Sequence, residues 1–95
     1  MKISDYIPYG RANATPGKDL AVTLDTDERN IRAMVLAERI QGEPICSTCE
    51  GRGGYYMPVD ADEARIYLRQ QTARIKSARA ALRGVKKFIQ DEERG

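Results

Sequence analysis

"ICSTCEGRGGYY", residues 45–56, contains both cysteines of the chain together with Gly51, Gly53 and Gly54. Read as Cys-x-x-Cys, it is half of a metal or redox site. Read by its flanks, it is two short β-prone runs around a tip whose glycines accept positive φ, and so a hairpin. The letters Cys46, Cys49, Gly51 and Gly53 match one unit of the zinc repeats in DnaJ-type co-chaperones. A structural zinc needs four thiolate or imidazole ligands, however, and this chain has two cysteines and no histidine. Only two hairpins paired in a dimer would complete the tetrahedron. A redox motif of this spacing opens a helix after a strand, whereas here it lies between two strands. The hairpin reading therefore stands, with Cys46 as a small apolar strand residue, Cys49 in the loop, and no metal or cofactor expected.

Upstream lie two helix signals in close succession. In "TPGKDLAVTL" Thr15 suits the N-cap and Pro16 the first helical position, and Leu20, Ala21 and Leu24 share a face. In "DTDERNIRAMVLAERIQGEP" Asp25 or Thr26 is the expected cap, with Glu28 at capping-box spacing from Asp25. Ile31, Met34 and Val35 form the inward stripe, and Gly42 and Pro44 end the helix. A connection of two or three residues forces a sharp corner, either a helix-turn-helix or an ordinary helical hairpin. Helix, tight turn, helix and glycine-tipped hairpin follow one another in the order of a winged helix-turn-helix. Before them, Ile3, Tyr6 and Ile7 suggest a short helix or an extended arm stopped by Pro8 and Gly10.

After Pro58 the chain changes character. Asp60 and Glu63 have capping-box spacing, and one helix is expected to run to about Gln90. Ala64, Leu68, Gln71, Ile75, Ala78, Leu82, Val85 and Ile89 alternate by four and three, which is a heptad seam with one polar member. At 1.5 Å per residue such a helix is about 45 Å long, more than a domain of this size is wide. Its far end is expected to pair with a second copy through Leu68, Ile75, Ala78, Leu82, Val85 and Ile89. Arg74 and Arg79 would oppose one another in a parallel pair, and the small Ala64 and Ala78 suit close antiparallel approach. The expected organisation is thus a winged domain over 1–58 and a basic coiled-coil-like helix over 59–95, mainly α with one small β-hairpin.

Charge follows the same division. The net charge is +2, yet between Ala64 and Gln90 there are eight basic residues and no acidic one. This points to a polyanion or an acidic protein surface, against the plainer alternative of a solvated helix face. With no histidine the usual triads cannot be built, and the carboxylates fall in no catalytic pattern, so the chain reads as a non-enzyme. "MKISDYIPYG" lacks the apolar core of a signal peptide, and no apolar run is long enough to span a membrane. The default compartment is the cytoplasm.

The run "DERNIRAMVLAERIQGEPICSTCEGRGGYYMP" resembles the winged helix-turn-helix domains of small phage and prophage DNA-binding proteins. The likeness covers about Thr15 to Pro58 and is sharpest over "G-x-P-I-C-S…G-Y-Y". It implies double-stranded DNA as partner and places the second helix in the major groove. Arg29, Asn30, Arg32 and Ala33 would then face the bases, with Arg29 or Arg32 on guanine or phosphate and Asn30 on adenine. Lys18 would lie near backbone phosphate, and Arg52 at the glycine-rich tip would touch the minor groove or a phosphate. The functions implied are a phage-type transcriptional regulator or a replication or packaging accessory factor. Two features favour a protein-interaction module instead. Asp27 and Glu28 open the candidate recognition helix, and Leu36 and Ile40 fall off its inward stripe, as though covered by the C-terminal helix or a protein partner.

Overall fold

The computed structural model describes residues 1–95. Helix α1 spans Gly17–Thr23 and α2 Glu28–Ile40. They are followed by strands β1, Cys46–Thr48, and β2, Gly54–Tyr56, then by α3, Ala61–Ala81, and α4, Arg83–Arg94. Two 3-10 turns, Ile3–Tyr6 and Arg11–Asn13, precede them. The protein is mainly helical, with one small antiparallel hairpin and a long bent helix at its C-terminal end.

Ile31 and Val35 carry α2 into a core completed by Ile3, Ile7, Leu20, Ala21, Ile45 and Met57. The core is small, so polar ties matter more to the organisation of this chain than they would in a larger domain. The clearest tie is Glu38, a buried acid on the same stripe as Ile31 and Val35. Its carboxylate accepts from the amides of Ile3 and Ser4, opposite the start of the first 3-10 turn. Burial alone would push this carboxyl up. The two amides, with help from the Ser4 hydroxyl and Lys2, outweigh that penalty and hold it below the usual range. The N-terminal segment is therefore a short 3-10 turn fastened to α2.

The corner between α1 and α2 is four residues, Leu24–Asp27, rather than two or three. Asp25 does not cap. It adopts φ +54°, a left-handed conformation that Asp tolerates, to end the turn after α1. Asp27 is the cap, with extended backbone and a carboxylate that accepts from Asn30 N–H at 2.7 Å. Thr15 does not cap α1 either, and Pro16 holds that position without a side-chain bond. Instead the Thr15 N–H and C=O both pair with Tyr55 at 2.9 Å, adding a third backbone segment to the hairpin. Just past the end of β2, Gly10 N–H donates to Met57 C=O, and Met57 N–H to Pro8 C=O. The outer edge of β2 is thus covered by the N-terminal arm.

This close approach dictates Gly54. Its φ is +126°, and a Cβ there would lie 2.3 Å from the Thr15 carbonyl carbon and oxygen. Only glycine lets the hairpin and the Thr15 segment share this space. In the hairpin Cys46 opposes Tyr56 and Thr48 opposes Gly54.

Asp60 caps α3 by accepting from Glu63 N–H at 2.8 Å. The Glu63 carboxylate does not close the reciprocal half of a capping box. It accepts from Val59 and Arg11 N–H, both at 3.2 Å, and so binds the arm to the start of α3. Glu63, Ala64 and Tyr67 are half-buried against the body, and beyond them the helix is almost wholly exposed. It does not run unbroken to Gln90. At Leu82 the ladder tightens, with Leu82 N–H reaching Arg79 C=O, and α4 resumes from Arg83 to Arg94. The molecule measures 55 Å along its longest axis.

Candidate nucleic-acid interface

Helix α2 presents two unlike faces. One carries Ile31, Val35 and Glu38 into the body, and the other exposes Arg29, Asn30, Arg32 and Ala33 to solvent. Arg29 makes no ion pair. Arg32 lies 3.9 Å from Glu28, a loose and exposed pairing of little energetic weight. The acids that open α2 are thus partly engaged, Asp27 in capping and Glu28 beside Arg32. The Asn30 side chain turns back along the chain, its Nδ2 donating to Thr26 Oγ1 at 2.8 Å.

Lys18 is exposed near the start of α1. Arg52, at the hairpin tip, is exposed as expected but paired, with its Nη2 2.9 Å from Asp19 Oδ2. That contact ties the loop to α1. Arg32 and Arg52 line a common groove, whereas Lys18 lies outside it.

Sequence reasoning missed Arg39. Its Nε donates to Ile45 C=O at 2.8 Å, and its guanidinium lies over the rings of both Tyr55 and Tyr67, at 5.9 and 5.6 Å from their centroids. One terminal nitrogen is buried without any hydrogen-bond partner. The stacked cation joins α2, β2 and α3, contacts typical of a planar guanidinium between aromatic faces. The signal available in the sequence was an arginine in the last turn of α2 with two tyrosines, Tyr55 and Tyr67, downstream of it.

The thiols are separated in environment. Cys46 is buried with Sγ 3.6 Å from Pro44 C=O, and burial pushes its thiol up, with Tyr56 beside it raised for the same reason. Cys49 is exposed in the loop, and Arg74 Nη2 reaches to 4.0 Å from its sulfur.

Of the sixteen basic residues, Lys2, Arg11, Arg32, Arg52 and Arg65 have a carboxylate partner. On α3 and α4 only Arg65 does, which leaves Arg69, Arg74, Lys76, Arg79, Arg83, Lys86, Lys87 and Arg94 without one. Leu68, Ile75, Ala78, Leu82, Val85 and Ile89 are all exposed along the same helices. Leu36 and Ile40 are also bare, at 57% and 77% exposure, so the C-terminal helix does not cover them. No helix is long and apolar enough to cross a membrane.

Comparison of the chain with protein-family models, curated proteins and solved structures finds no match.

Proposed function

We propose that the chain is a dimeric, double-stranded-DNA-binding protein of the winged helix-turn-helix kind. It would act as a phage-type transcriptional regulator or as a replication or packaging accessory factor. The order of elements supports this reading: arm, Thr15 bridge, α1, α2, then a glycine-tipped hairpin that pairs back onto Thr15. The observation that carries it is α2, anchored by Ile31 and Val35 while Arg29, Arg32 and Ala33 are exposed on its other face, with Arg32 sharing a groove with Arg52. A helix held on one face and basic on the other is what insertion into a major groove requires. The unpaired basic residues of α3 and α4 would add backbone contacts.

The dimer is proposed from the exposed seam on α3 and α4. Pairing two copies removes from water a row of aliphatic side chains that the monomer leaves wet.

Fluorescence anisotropy with a labelled duplex at 50 and 200 mM salt tests the DNA reading. Several phosphate contacts should lower affinity by at least tenfold between the two conditions. Arg29→Glu with Arg32→Glu should abolish binding at 200 mM salt. Absence of binding by the unaltered protein at 50 mM would overturn the reading. A protein-interaction role is the second reading, favoured by the bare Leu36 and Ile40 on α2. It predicts that the unaltered chain binds no duplex at 50 mM salt and that Leu36→Ser with Ile40→Ser abolishes capture of a protein partner.

A further inference from the structure

Between α2, the hairpin and α3 lies an open groove of about 520 Å³. Arg32 and Arg39 from α2, Arg52 from the hairpin loop and Arg74 from α3 converge on it, Ser47 and Thr48 add hydroxyls to its wall, and Glu28 is the one carboxylate in its lining. Two of these arginines, Arg39 and Arg74, have no carboxylate partner. Arg32 has only the 3.9 Å contact with Glu28, and Arg52 is paired at the rim with Asp19. Four guanidiniums gathered round one opening repel one another, and an anion among them converts that cost into attraction. Guanidinium forks and hydroxyls are the groups that match a tetrahedral phosphate.

We infer that this groove binds a phosphate group. Its source is either a backbone phosphate of the duplex held by α2 or a free phosphorylated compound; only the first rests on the DNA-binding reading. Arg39 supplies a fixed charge at the groove wall, since the bond to Ile45 and the two tyrosine rings hold its guanidinium in place. Arg74 is the exposed jaw contributed by α3, and its only partner is the sulfur of Cys49. The assignment extends the interface to α3, and to a residue outside the winged portion.

Arg74→Gln in the full chain tests it, because this exposed residue loses only a long contact, 4.0 Å, with the Cys49 sulfur. Anisotropy with a labelled 24-base-pair duplex reads the first source, and the Ser47, Thr48 and Cys49 amide resonances titrated with tripolyphosphate read the second. For a backbone phosphate, the substitution lowers duplex affinity about fivefold at 100 mM salt and the slope of log K against log salt by about 0.9. For a free phosphate compound, duplex binding is unchanged while tripolyphosphate shifts those resonances saturably in the parent and not in the variant. Unchanged duplex binding together with unmoved resonances overturns the inference. Should the parent bind no duplex yet still saturate with tripolyphosphate, the DNA reading falls and the groove stands. Should Arg29→Glu abolish duplex binding while Arg74→Gln and tripolyphosphate do nothing, the reverse holds.

Discussion

Glu38→Gln probes the tie between the N-terminal segment and α2. In the native chain one buried carboxylate accepts from the amides of Ile3 and Ser4. Hydrogen bonds to a charged acceptor contribute about 1.5–3 kcal/mol each. Glutamine keeps the shape but has one oxygen, so it retains one bond at neutral strength and turns an NH2 toward the other amide. That amide is left buried and unpaired, at a cost of about 1–3 kcal/mol. The expected loss is about 2–4 kcal/mol, a large part of the stability of a domain this size. For 60–100 residues, 1 kcal/mol moves Tm by about 4–8 °C, so thermal melting at pH 7 should fall by at least about 8 °C. Amide exchange at Ile3 and Ser4 should accelerate with it. The pH dependence has a definite sign. The folded carboxyl is held below its unfolded value, so its contribution is present at neutral pH. It is lost as the pH falls through the unfolded range near 4 toward the lower folded value. The gap between parent and variant should therefore close in acid. A Tm shift under 3 °C at pH 7, or a gap independent of pH, would refute the reasoning.

Gly54→Ala should cost about 3–5 kcal/mol, combining left-handed strain with loss of the paired bonds to Thr15. Gly51→Ala, with open space around its Cβ, should cost only about 1–2 kcal/mol, and urea unfolding of both variants checks the ranking. Ile75→Glu with Leu82→Glu should leave the fold intact and convert a dimer into a 10.7 kDa monomer in sedimentation equilibrium. An unchanged mass would remove the seam from the dimer proposal. With a thiol-reactive chromophore, Cys49 should label within minutes while Cys46 waits for unfolding, since it is buried and its thiol is pushed up. Equal rates would contradict the placement of β1.

The parts legible in the sequence were those with strong periodicity or punctuation. Ile31, Met34 and Val35 marked the inward face of α2, Gly42 and Pro44 its end, the glycines the hairpin tip, and Asp60 the start of α3. The parts missed depend on contacts between distant segments. Thr15 looked like a cap because a single bridging residue has no periodicity, and its bonds run to Tyr55, forty positions away. Glu38 escaped because an acid on an apolar stripe reads as an interruption until two orphan amides are brought opposite it. Capping-box spacing favours Asp25 as the cap, with Thr26 as the other candidate, although Asp27 carries the same carboxylate two residues on. The choice fell to backbone geometry, since Asp25 closes the preceding turn in the left-handed region while a cap needs extended backbone. Of the candidate site, the exposure of Arg29 and Arg32 followed from helical spacing alone. The convergence of Arg39 and Arg74 on the same groove depended on how α3 packs.

The packing of α3 against the body depends on few groups. Asp60 caps its first turn, Glu63 takes the amides of Arg11 and Val59, and Tyr67 stacks on Arg39. All three lie within the first turns of the helix, and no residue of α3 is fully buried. The position of Arg74 about two turns further on is therefore the projection of a short anchored stretch, and a small change in the anchor is magnified along the helix. Glu63 also bonds the arm, and the arm bonds β2 at Tyr55 and, just past the strand's end, Met57. A disturbance of the arm thus reaches the groove by two routes, through the hairpin that carries Arg52 and through the helix that carries Arg74. Substitution of Glu63 should accordingly weaken phosphate binding with no charge of the groove altered, whereas substitution of Lys2, whose partner Glu43 lies outside the groove, should not.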